Sequence, residues 1–254
     1  MPFAYLCDFD GTISPQDIGA AFVERYSPGG AATGRDVLQD WLAGRMGHRE
    51  LTRRQSALVR ISGVDEALAF TRTFKLDPHF APFVREALGR GDAVMVVSEG
   101  YDFYVRDHLA RAGFAGLPWA ANHAHFHDGS IEAQFPFADP ACEHCGNCKA
   151  QHVRRYRGRG YHTVLVGDGV SDRHGAQAAD SVLARGSLRT WCAQQGMAHH
   201  PFESFADVAE FARRQDVSAP LPRASRAGAP RRAPAKSATG IAAPKPPVAG
   251  GRDL

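Results

Sequence analysis

The chain has 254 residues, 44% of them hydrophobic, and a formal net charge of +3. This length can bury the core of one domain with a small insertion, but no apolar stretch approaches the roughly 20 residues of a membrane-spanning helix. The N-terminus lacks the basic and apolar regions of a signal peptide, and five cysteines suit a reducing compartment better than a disulfide scaffold, so we expect a cytoplasmic protein without a membrane partner.

The positive charge is concentrated in residues 216–254, which hold seven Lys or Arg and two acidic residues, whereas residues 1–215 hold 23 basic and 25 acidic ones. The C-terminal segment also contains seven of the 16 prolines and no aromatic residue. It cannot bury enough apolar surface to offset the entropy of ordering, so we expect a disordered basic tail. Such a tail can contact nucleic acid or anionic lipid, but a solvated extension is favoured and a nucleic-acid partner is not expected.

Strand and helix patterns alternate along the rest of the chain. Strand 3–7 comes first, and helical patterns follow at 17–26, 35–43, 49–60 and 64–73. Further strands are expected at 93–97, 117–121, 163–166 and 181–184, and further helices at 80–89, 101–111, 149–157, 173–179, 187–195 and 204–213. A hairpin is expected in 124–136, around Asp128-Gly129.

Four helices without an intervening strand indicate an inserted cap, at 13–75. The catalytic core is then expected at 1–12 and 76–215. Strand–helix alternation in the core predicts an α/β fold, with a three-layer, Rossmann-like parallel sheet and an all-helical cap.

Two carboxylates, Asp8 and Asp10, directly follow the first apolar run. Their mutual repulsion is explained if a cation lies between them, or if one attacks a substrate and the other carries a proton. Ligands of open α/β sheets bind at the carboxyl ends of strands, so the pair predicts an active site. The alternative is an ordinary Asp-Gly turn with a second Asp by chance.

Later elements carry further polar groups at the same kind of position. Ser98 ends the second apolar run, Asp168 and Asp172 follow the third, and Lys149 begins the helix between them. Carboxylates suit Mg²⁺, and a hydroxyl with an ammonium suits a phosphate. Each has a structural alternative: Ser98 and Asp172 as helix caps, and Lys149 as a solvated helix residue.

The order of these residues resembles the four motifs of the haloacid dehalogenase superfamily, read here as Asp8-x-Asp10-Gly11-Thr12, Ser98, Lys149 and Gly167-Asp168-x-x-x-Asp172. The spacing resembles the phosphoserine-phosphatase-like branch, with a helical cap between the first two motifs. The stretches 98–105, 145–149 and 182–205 are similar to the methionine-salvage phosphatases that act on 2-hydroxy-3-keto-5-methylthiopentenyl-1-phosphate. The resemblance covers roughly residues 3 to 214.

The resemblance implies a Mg²⁺-dependent phosphatase acting on a small phosphorylated metabolite. Asp8 would form an aspartyl-phosphate and Asp10 would transfer the proton. Mg²⁺ would bind Asp8, the backbone carbonyl of Asp10 and Asp168, with Asp172 acting through water, while Ser98 and Lys149 hold the phosphoryl oxygens.

Two further positions are grouped with the phosphate-binding residues. Thr12 lies in the first motif, where its structural alternative is to cap the following turn. Glu99 stands where many relatives carry a glycine, so its side chain is expected to point away from the phosphate or to pair with a cation. This departure bears on the identity of the substrate rather than on activity.

The substrate is left open by the sequence. Asp17, at the cap entrance, and the pair Arg53-Arg54 are candidate substrate contacts, although a solvated helix face explains the two arginines as well. A bidentate arginine suits a substrate carboxylate, which the methionine-salvage substrate lacks. Phosphoserine, phosphocholine and a non-catalytic regulatory module are therefore alternatives, whereas the presence of Asp10 disfavours dehalogenase chemistry. The oligomeric state is not predicted.

A cysteine cluster, Cys142-x-x-Cys145-x-x-Cys148, has the spacing of metal ligands, and four histidines lie nearby in sequence. Zn²⁺ sites commonly use four such ligands, but a paired CxxC…CxxC is the stronger signal. Structural thiols, a structural zinc site and redox regulation all remain open at this point.

Overall fold

The computed structural model describes residues 1–30 and 35–217, with the backbone alone at residues 36, 216 and 217. The expected disordered tail, 216–254, therefore lies outside the described residues except for its first two positions, which end the last helix. Within the described ranges, every helix is too short or too polar to cross a membrane.

The described residues form one seven-stranded sheet. Its strands are β1 (Phe3–Cys7), β2 (Ala93–Tyr101), β3 (Trp119–His127), β4 (Ser130–Gln134), β5 (His162–Gly167), β6 (Ser181–Ala184) and β7 (His200–Pro201). The spatial order is β4-β3-β2-β1-β5-β6-β7, and only the β3–β4 pair is antiparallel. This arrangement confirms the α/β fold class.

Helices cover both faces of the sheet. They are α1 (Ile18–Tyr26), α2 (Arg35–Leu42), α3 (His48–Leu58), α4 (Val64–Thr71), α5 (Phe80–Gly89), α6 (Asp102–Arg111), α7 (Lys149–Gly158), α8 (Arg173–Ala178), α9 (Gly186–Gln194) and α10 (Phe205–Val217). The helices α1 to α4 follow one another between β1 and α5, where the sequence predicts the cap, and α3 packs against β4.

Alternation along the central strand divides the core into two layers. Tyr5 and Cys7 point into one layer, with buried side chains of α5, α6 and α10. Ala4 and Leu6 point into the other layer, with buried side chains of α7, α8 and α9. Successive strand residues face opposite sides, and β1 is buried on both faces from Ala4 to Cys7. Such a strand needs apolar residues at every position, and the sequence provides them.

Three strands differ from the expectation. A strand is expected at 117–121, but β3 begins at Trp119 and continues to His127, where it forms the first arm of the hairpin. β2 continues past Val97 to Tyr101 because its register with β3 shifts there, and the irregularity lets a polar Ser-Glu-Gly segment remain in the sheet. β7 is only two residues long and has no apolar run to reveal it. The hairpin is as expected, with positive φ at Asp128 and Gly129.

The order of the strands determines where polar groups can meet. The chain adds β2 on one side of β1 and β5 on the other, and both pair with β1 in parallel. The carboxyl ends of these three strands therefore lie at one edge, at the point where the connections change direction, which is where open α/β sheets bind ligands.

Candidate active site

Lys149 lies fully buried between two carboxylates at this edge of the sheet. Its ammonium donates to Asp8 Oδ1 at 2.6 Å and also to Asp172, and the three side chains are at most 6% exposed. Burial by itself would lower the pKa of Lys149, but the neighbouring carboxylates of Asp172 and Asp8 raise this pKa above its usual value. The alternative of a solvated helix residue is wrong.

The carboxylates outnumber this single ammonium. Oxygen atoms of Asp8, Asp168 and Asp172 all lie within 4.8 Å of one another. Burial, followed by repulsion from Asp172, raises the pKa of both Asp8 and Asp168. Excess buried negative charge and an all-oxygen donor set fit a hard divalent cation such as Mg²⁺.

Asp172 and Thr12 hold this cluster in shape. The Asp172 carboxylate accepts the backbone N–H groups of Asp168 at 3.1 Å and Gly169 at 2.9 Å, besides the Lys149 ammonium. It makes no side-chain cap of α8, so that alternative is wrong. The buried Thr12 hydroxyl donates to Asp168 at 3.1 Å and lies 3.4 Å from Asp8. Thr12 thus contacts the carboxylates directly.

Asp10 is anchored by groups from α1 and from α6. Its Oδ1 accepts the backbone N–H of Ile18 at 2.9 Å and that of Gly19 at 3.3 Å, and its Oδ2 accepts the Tyr104 hydroxyl at 2.6 Å. Burial, with a smaller contribution from the negative charge of Asp17, raises the pKa of Asp10 to about 7. A carboxyl group with such a pKa can both give and take a proton near neutrality.

Ser98 faces the same carboxylate from β2. Its hydroxyl oxygen accepts the Gly100 N–H at 2.9 Å and lies 3.4 Å from Asp10 Oδ2. The N-cap of α6 is Tyr101, so the cap alternative for Ser98 is wrong. A Cβ on Gly100 would lie 1.7 Å from the Tyr104 hydroxyl, so the approach of Tyr104 to Asp10 requires a glycine there.

The carboxylate of Glu99 is engaged by a backbone turn and lies near His48, as expected for a Glu at a position where many relatives carry a glycine, so its grouping with the phosphate-binding side chains is corrected. Its Oε2 accepts the backbone N–H groups of Gly146 and Asn147 at 3.0 and 3.1 Å, and lies 3.3 Å from His48 Nδ1. Burial alone would raise the pKa of Glu99, but the neighbouring His48 lowers this pKa below its usual value. A carboxylate engaged in this way anchors the 146–147 turn, and its charge would repel a phosphate.

A cavity of about 180 Å³ lies above Asp8 and Asp10. Its other lining residues come from α1 to α3, from the end of β2 and from the loop after β5: Asp17, Gly19, Ala20, Val23, Leu38, Trp41, His48, Leu51, Thr52, Gln55, Glu99, Gly100, Tyr101, Asp168, Gly169, Val170 and Ser171. The sequence predicted a contribution from Asp17, which also caps α1 by accepting the Ala20 N–H at 2.7 Å. His48 and Trp41 were not singled out, because nothing in their local sequence marks them.

Arg53 and Arg54 lie outside this cavity, so their assignment as substrate contacts is corrected. Both guanidinium groups bind Glu50, at i,i+3 and i,i+4 spacing, and both side chains are at least half exposed. Arg53 also lies over the Phe135 ring. The cavity is lined instead by another face of α3, through Leu51, Thr52 and Gln55. Gln55 lies four residues after Leu51 and three after Thr52, the spacings that place side chains on a shared helix face.

Other contacts of the site come from parts of the chain distant in sequence. Arg185 donates to the carbonyl oxygens of Gly11 and Glu203 at 2.8 Å each, which fixes the loop after β1. Gly11 has φ of +76°, and a Cβ there would lie 2.5 Å from Asp168 Oδ2.

Cys142, Cys145 and Cys148 converge with His174, separately from the residues that line the cavity.

Comparison with known proteins agrees with this geometry. A family model described as haloacid dehalogenase-like hydrolase matches residues 5–177. The chain belongs to this hydrolase family. The match confirms the predicted family. Together with the relatives described next, it confirms the prediction that the protein is a phosphatase, that is, a phosphoric monoester hydrolase.

Two similar hydrolases are named 2-hydroxy-3-keto-5-methylthiopentenyl-1-phosphate phosphatase. That of Geobacillus kaustophilus (strain HTA426) is 34% identical over 215 residues, covering 83% of this chain and 96% of the relative. That of Brevibacillus brevis (strain 47 / JCM 6285 / NBRC 100599) is 30% identical over 205 residues, covering 80% and 91%. Among solved structures, a phospho-aspartyl intermediate analogue of phosphoserine phosphatase matches with a TM-score of 0.64 at 17% identity, covering 83% of this chain and 98% of that one. This likeness shows the fold alone.

Proposed function

We propose that this hydrolase is a Mg²⁺-dependent phosphatase that cleaves 2-hydroxy-3-keto-5-methylthiopentenyl-1-phosphate through an aspartyl-phosphate. The observation that carries the choice of substrate is the lining of the cavity above Asp8 and Asp10. Among the described residues, no Lys or Arg lines it, whereas Val23, Leu38, Trp41 and Leu51 supply apolar walls.

This lining favours a phosphate ester whose remaining part is uncharged and partly apolar. Phosphoserine carries a carboxylate, which a buried site recognises through a cation, most readily a bidentate arginine. Arg53 and Arg54 were the expected partners, and both point elsewhere. The methionine-salvage substrate has no carboxylate and ends in a methylthio group, which suits the apolar walls. The names of the similar hydrolases support the same choice.

In the proposed reaction, a carboxylate oxygen of Asp8 forms a bond to phosphorus while the bond to the leaving oxygen breaks. Asp10 gives its proton to that oxygen. Asp10 then takes a proton from a water molecule, which attacks the phosphorus of the aspartyl-phosphate and releases inorganic phosphate and the Asp8 carboxylate. The hydrogen bonds from Ile18, Gly19 and Tyr104 keep Asp10 in place for both transfers.

The other residues stabilise charge. Lys149 is bonded to Asp8, so its ammonium lies where negative charge accumulates on the phosphoryl oxygens, and Ser98 offers a hydroxyl beside Asp10. Asp8 and Asp168 would hold Mg²⁺ with the Asp10 carbonyl, and Asp172 would orient them and act through water. When bound, the ion offsets the repulsion between the nucleophile and the phosphate.

Phosphocholine is a second candidate, because the cavity wall also contains Asp17 and the Trp41 ring. Carboxylates and aromatic faces attract quaternary ammonium groups. Against it, the second wall carboxylate, Glu99, is already engaged by backbone N–H groups and by His48.

The test is a comparison of kcat/KM for the methionine-salvage substrate, phosphocholine and phosphoserine, with and without Mg²⁺. We expect the first to exceed the others by at least about 100-fold, the scale of specificity that buried contacts provide. Asp8→Asn should abolish turnover of all three, and the Asp8 variant should accumulate no phosphorylated protein in acid-quenched samples. Preference for phosphoserine would refute the substrate, and full activity of Asp8→Asn would refute the mechanism.

A further inference from the structure

Three thiols and one imidazole meet beside the N-terminus of α7. Cys142, Cys145 and Cys148 come from the loop that precedes this helix, and His174 comes from α8. The four ligand atoms all lie within 4.8 Å of one another. Cys145 and Cys148 are buried, while Cys142 and His174 are partly exposed. The sequence indicated the three cysteines, but the fourth group lies 26 residues further along the chain.

We propose that these four side chains bind a structural Zn²⁺ ion. Three cysteines and one histidine are a common tetrahedral zinc set, and with Zn–S near 2.3 Å and Zn–N near 2.0 Å a tetrahedral ion separates sulfur from nitrogen by about 3.6 Å. The Sγ atoms of Cys145 and Cys142 lie 3.2 and 3.8 Å from His174 Nδ1, on either side of this value.

The loop that carries the three cysteines is held in place by hydrogen bonds that do not involve the thiol groups. Arg49 of α3 donates to the carbonyl oxygens of Cys142 and Cys145 at 2.7 and 2.8 Å. Asn147 donates to the carbonyl oxygens of Ser98 and Ala120 at 2.9 and 3.0 Å. These contacts fix the backbone on both sides of Cys145, so the ligand positions are organised in advance, as metal sites require.

The ion also has a route into the site. A surface depression beside the cluster is lined by Cys142, Cys148, His144 and His174. The active-site cavity has a different lining and shares none of these residues. The zinc site is therefore separate from the carboxylate site in both its donor atoms and its access.

A zinc ion at this position would connect two segments of the chain that contribute to the active site. Cys148 precedes Lys149 in the chain, and His174 follows Asp172 by two residues. A single Zn²⁺ would thus join the two segments whose side chains form the buried Lys149–Asp172 ion pair. This link does not depend on which substrate the enzyme hydrolyses.

The first measurement is the metal content of the untagged full-length protein, produced with added zinc and purified with a reductant and Mg²⁺. We expect about one zinc per chain after dialysis. Replacing zinc with Co²⁺ should give the intense visible and thiolate-to-metal charge-transfer absorption of tetrahedral cobalt thiolate, which an all-oxygen octahedral site does not produce. A zinc-free protein, or a cobalt spectrum without thiolate bands, overturns the proposal.

Matched variants separate the two sites. Cys145→Ser and His174→Ala should lose zinc, whereas His174→Cys should keep it, because four thiolates also form a structural zinc set. Cys192→Ala, a buried cysteine in α9, and Asp168→Asn should both retain about one zinc per chain. If Cys145→Ser fails to fold, the two His174 variants decide the question.

Two further outcomes count against the site. Zinc lost from Asp168→Asn would assign the ion to the carboxylates. A Cys145–Cys148 disulfide, found by mass spectrometry in protein purified with a reductant, would assign the thiols to redox chemistry.

Discussion

Replacing Lys149 with methionine tests the idea that one buried ammonium balances the carboxylates of the active site. Lys149 is fully buried, as is Asp172, and the side chain of Asp8 is 6% exposed. Methionine fills nearly the same volume, so the main change is the loss of one positive charge between two negative ones.

The expected loss of stability follows from the burial of the pair. Removing one partner of a buried ion pair costs about 3–5 kcal/mol, because the remaining charge has neither water nor a counter-ion. For a domain of this size, about 1 kcal/mol shifts Tm by roughly 2–4 °C. Lys149→Met should therefore lower Tm by roughly 6–20 °C. Asp172→Asn in the same chain should recover part of this, because it removes one uncompensated charge.

The measurement is thermal and denaturant unfolding without added divalent cations. Arg45→Met is the matched control: it removes an arginine that binds Asp40 at 2.6 Å, but the two side chains are 62% and 39% exposed, so the loss should stay below about 1 kcal/mol. Adding Mg²⁺ should restore part of the stability of Lys149→Met. Equal losses in Lys149→Met and Arg45→Met, or no recovery in the double variant, would refute the reasoning.

Three further predictions concern catalysis, specificity and pH. Asp10→Asn should slow turnover of a poor leaving group by about 10²–10⁴-fold, but less for p-nitrophenyl phosphate; equal losses in acid-quenched single-turnover assays would contradict the acid role. Trp41→Ala should raise KM for the true substrate while Arg54→Ala leaves it unchanged, and the reverse result in steady-state kinetics would restore the arginine as a contact. Burial, with a smaller effect of the charge of Arg155, lowers the pKa of His152 from 6.5 to about 4, so the unfolded chain binds its proton first as pH falls. The free energy of unfolding should then drop by about 2 kcal/mol between pH 7 and 5, and an equal drop in His152→Gln, read by urea unfolding, would exclude this histidine.

The sequence by itself determined the fold class and located most of the polar groups that meet at the candidate active site. Apolar runs ending in polar residues located β1, β2 and β5, and a parallel sheet brings the ends of such strands to one edge. Asp8, Asp10 and Asp168 were found in this way, because a carboxylate at the end of an apolar run is a local pattern. The helical stretch after β1 was visible for the same reason, since helix periodicity is local.

Tertiary structure alone decided which side chains face the cavity. Which face of α3 lines the cavity depends on how the helix packs. The residue types alone therefore could not show that Leu51 and Gln55 face the cavity while Arg53 and Arg54 do not. Glu99 was grouped with the phosphate-binding residues because it follows Ser98. Its carboxylate instead accepts hydrogen bonds from the backbone of Gly146 and Asn147, nearly 50 residues further along the chain.

The contacts that couple distant segments were also invisible in the sequence. Tyr104 binds Asp10 from 94 residues away, and His174 joins three cysteines that lie at least 26 residues earlier. A single tyrosine or histidine has no spacing to mark it, because its partner is brought near only when helices pack on the two faces of the sheet. Local pattern therefore revealed the polar groups at the ends of strands, and folding selected the partners that hold them in place.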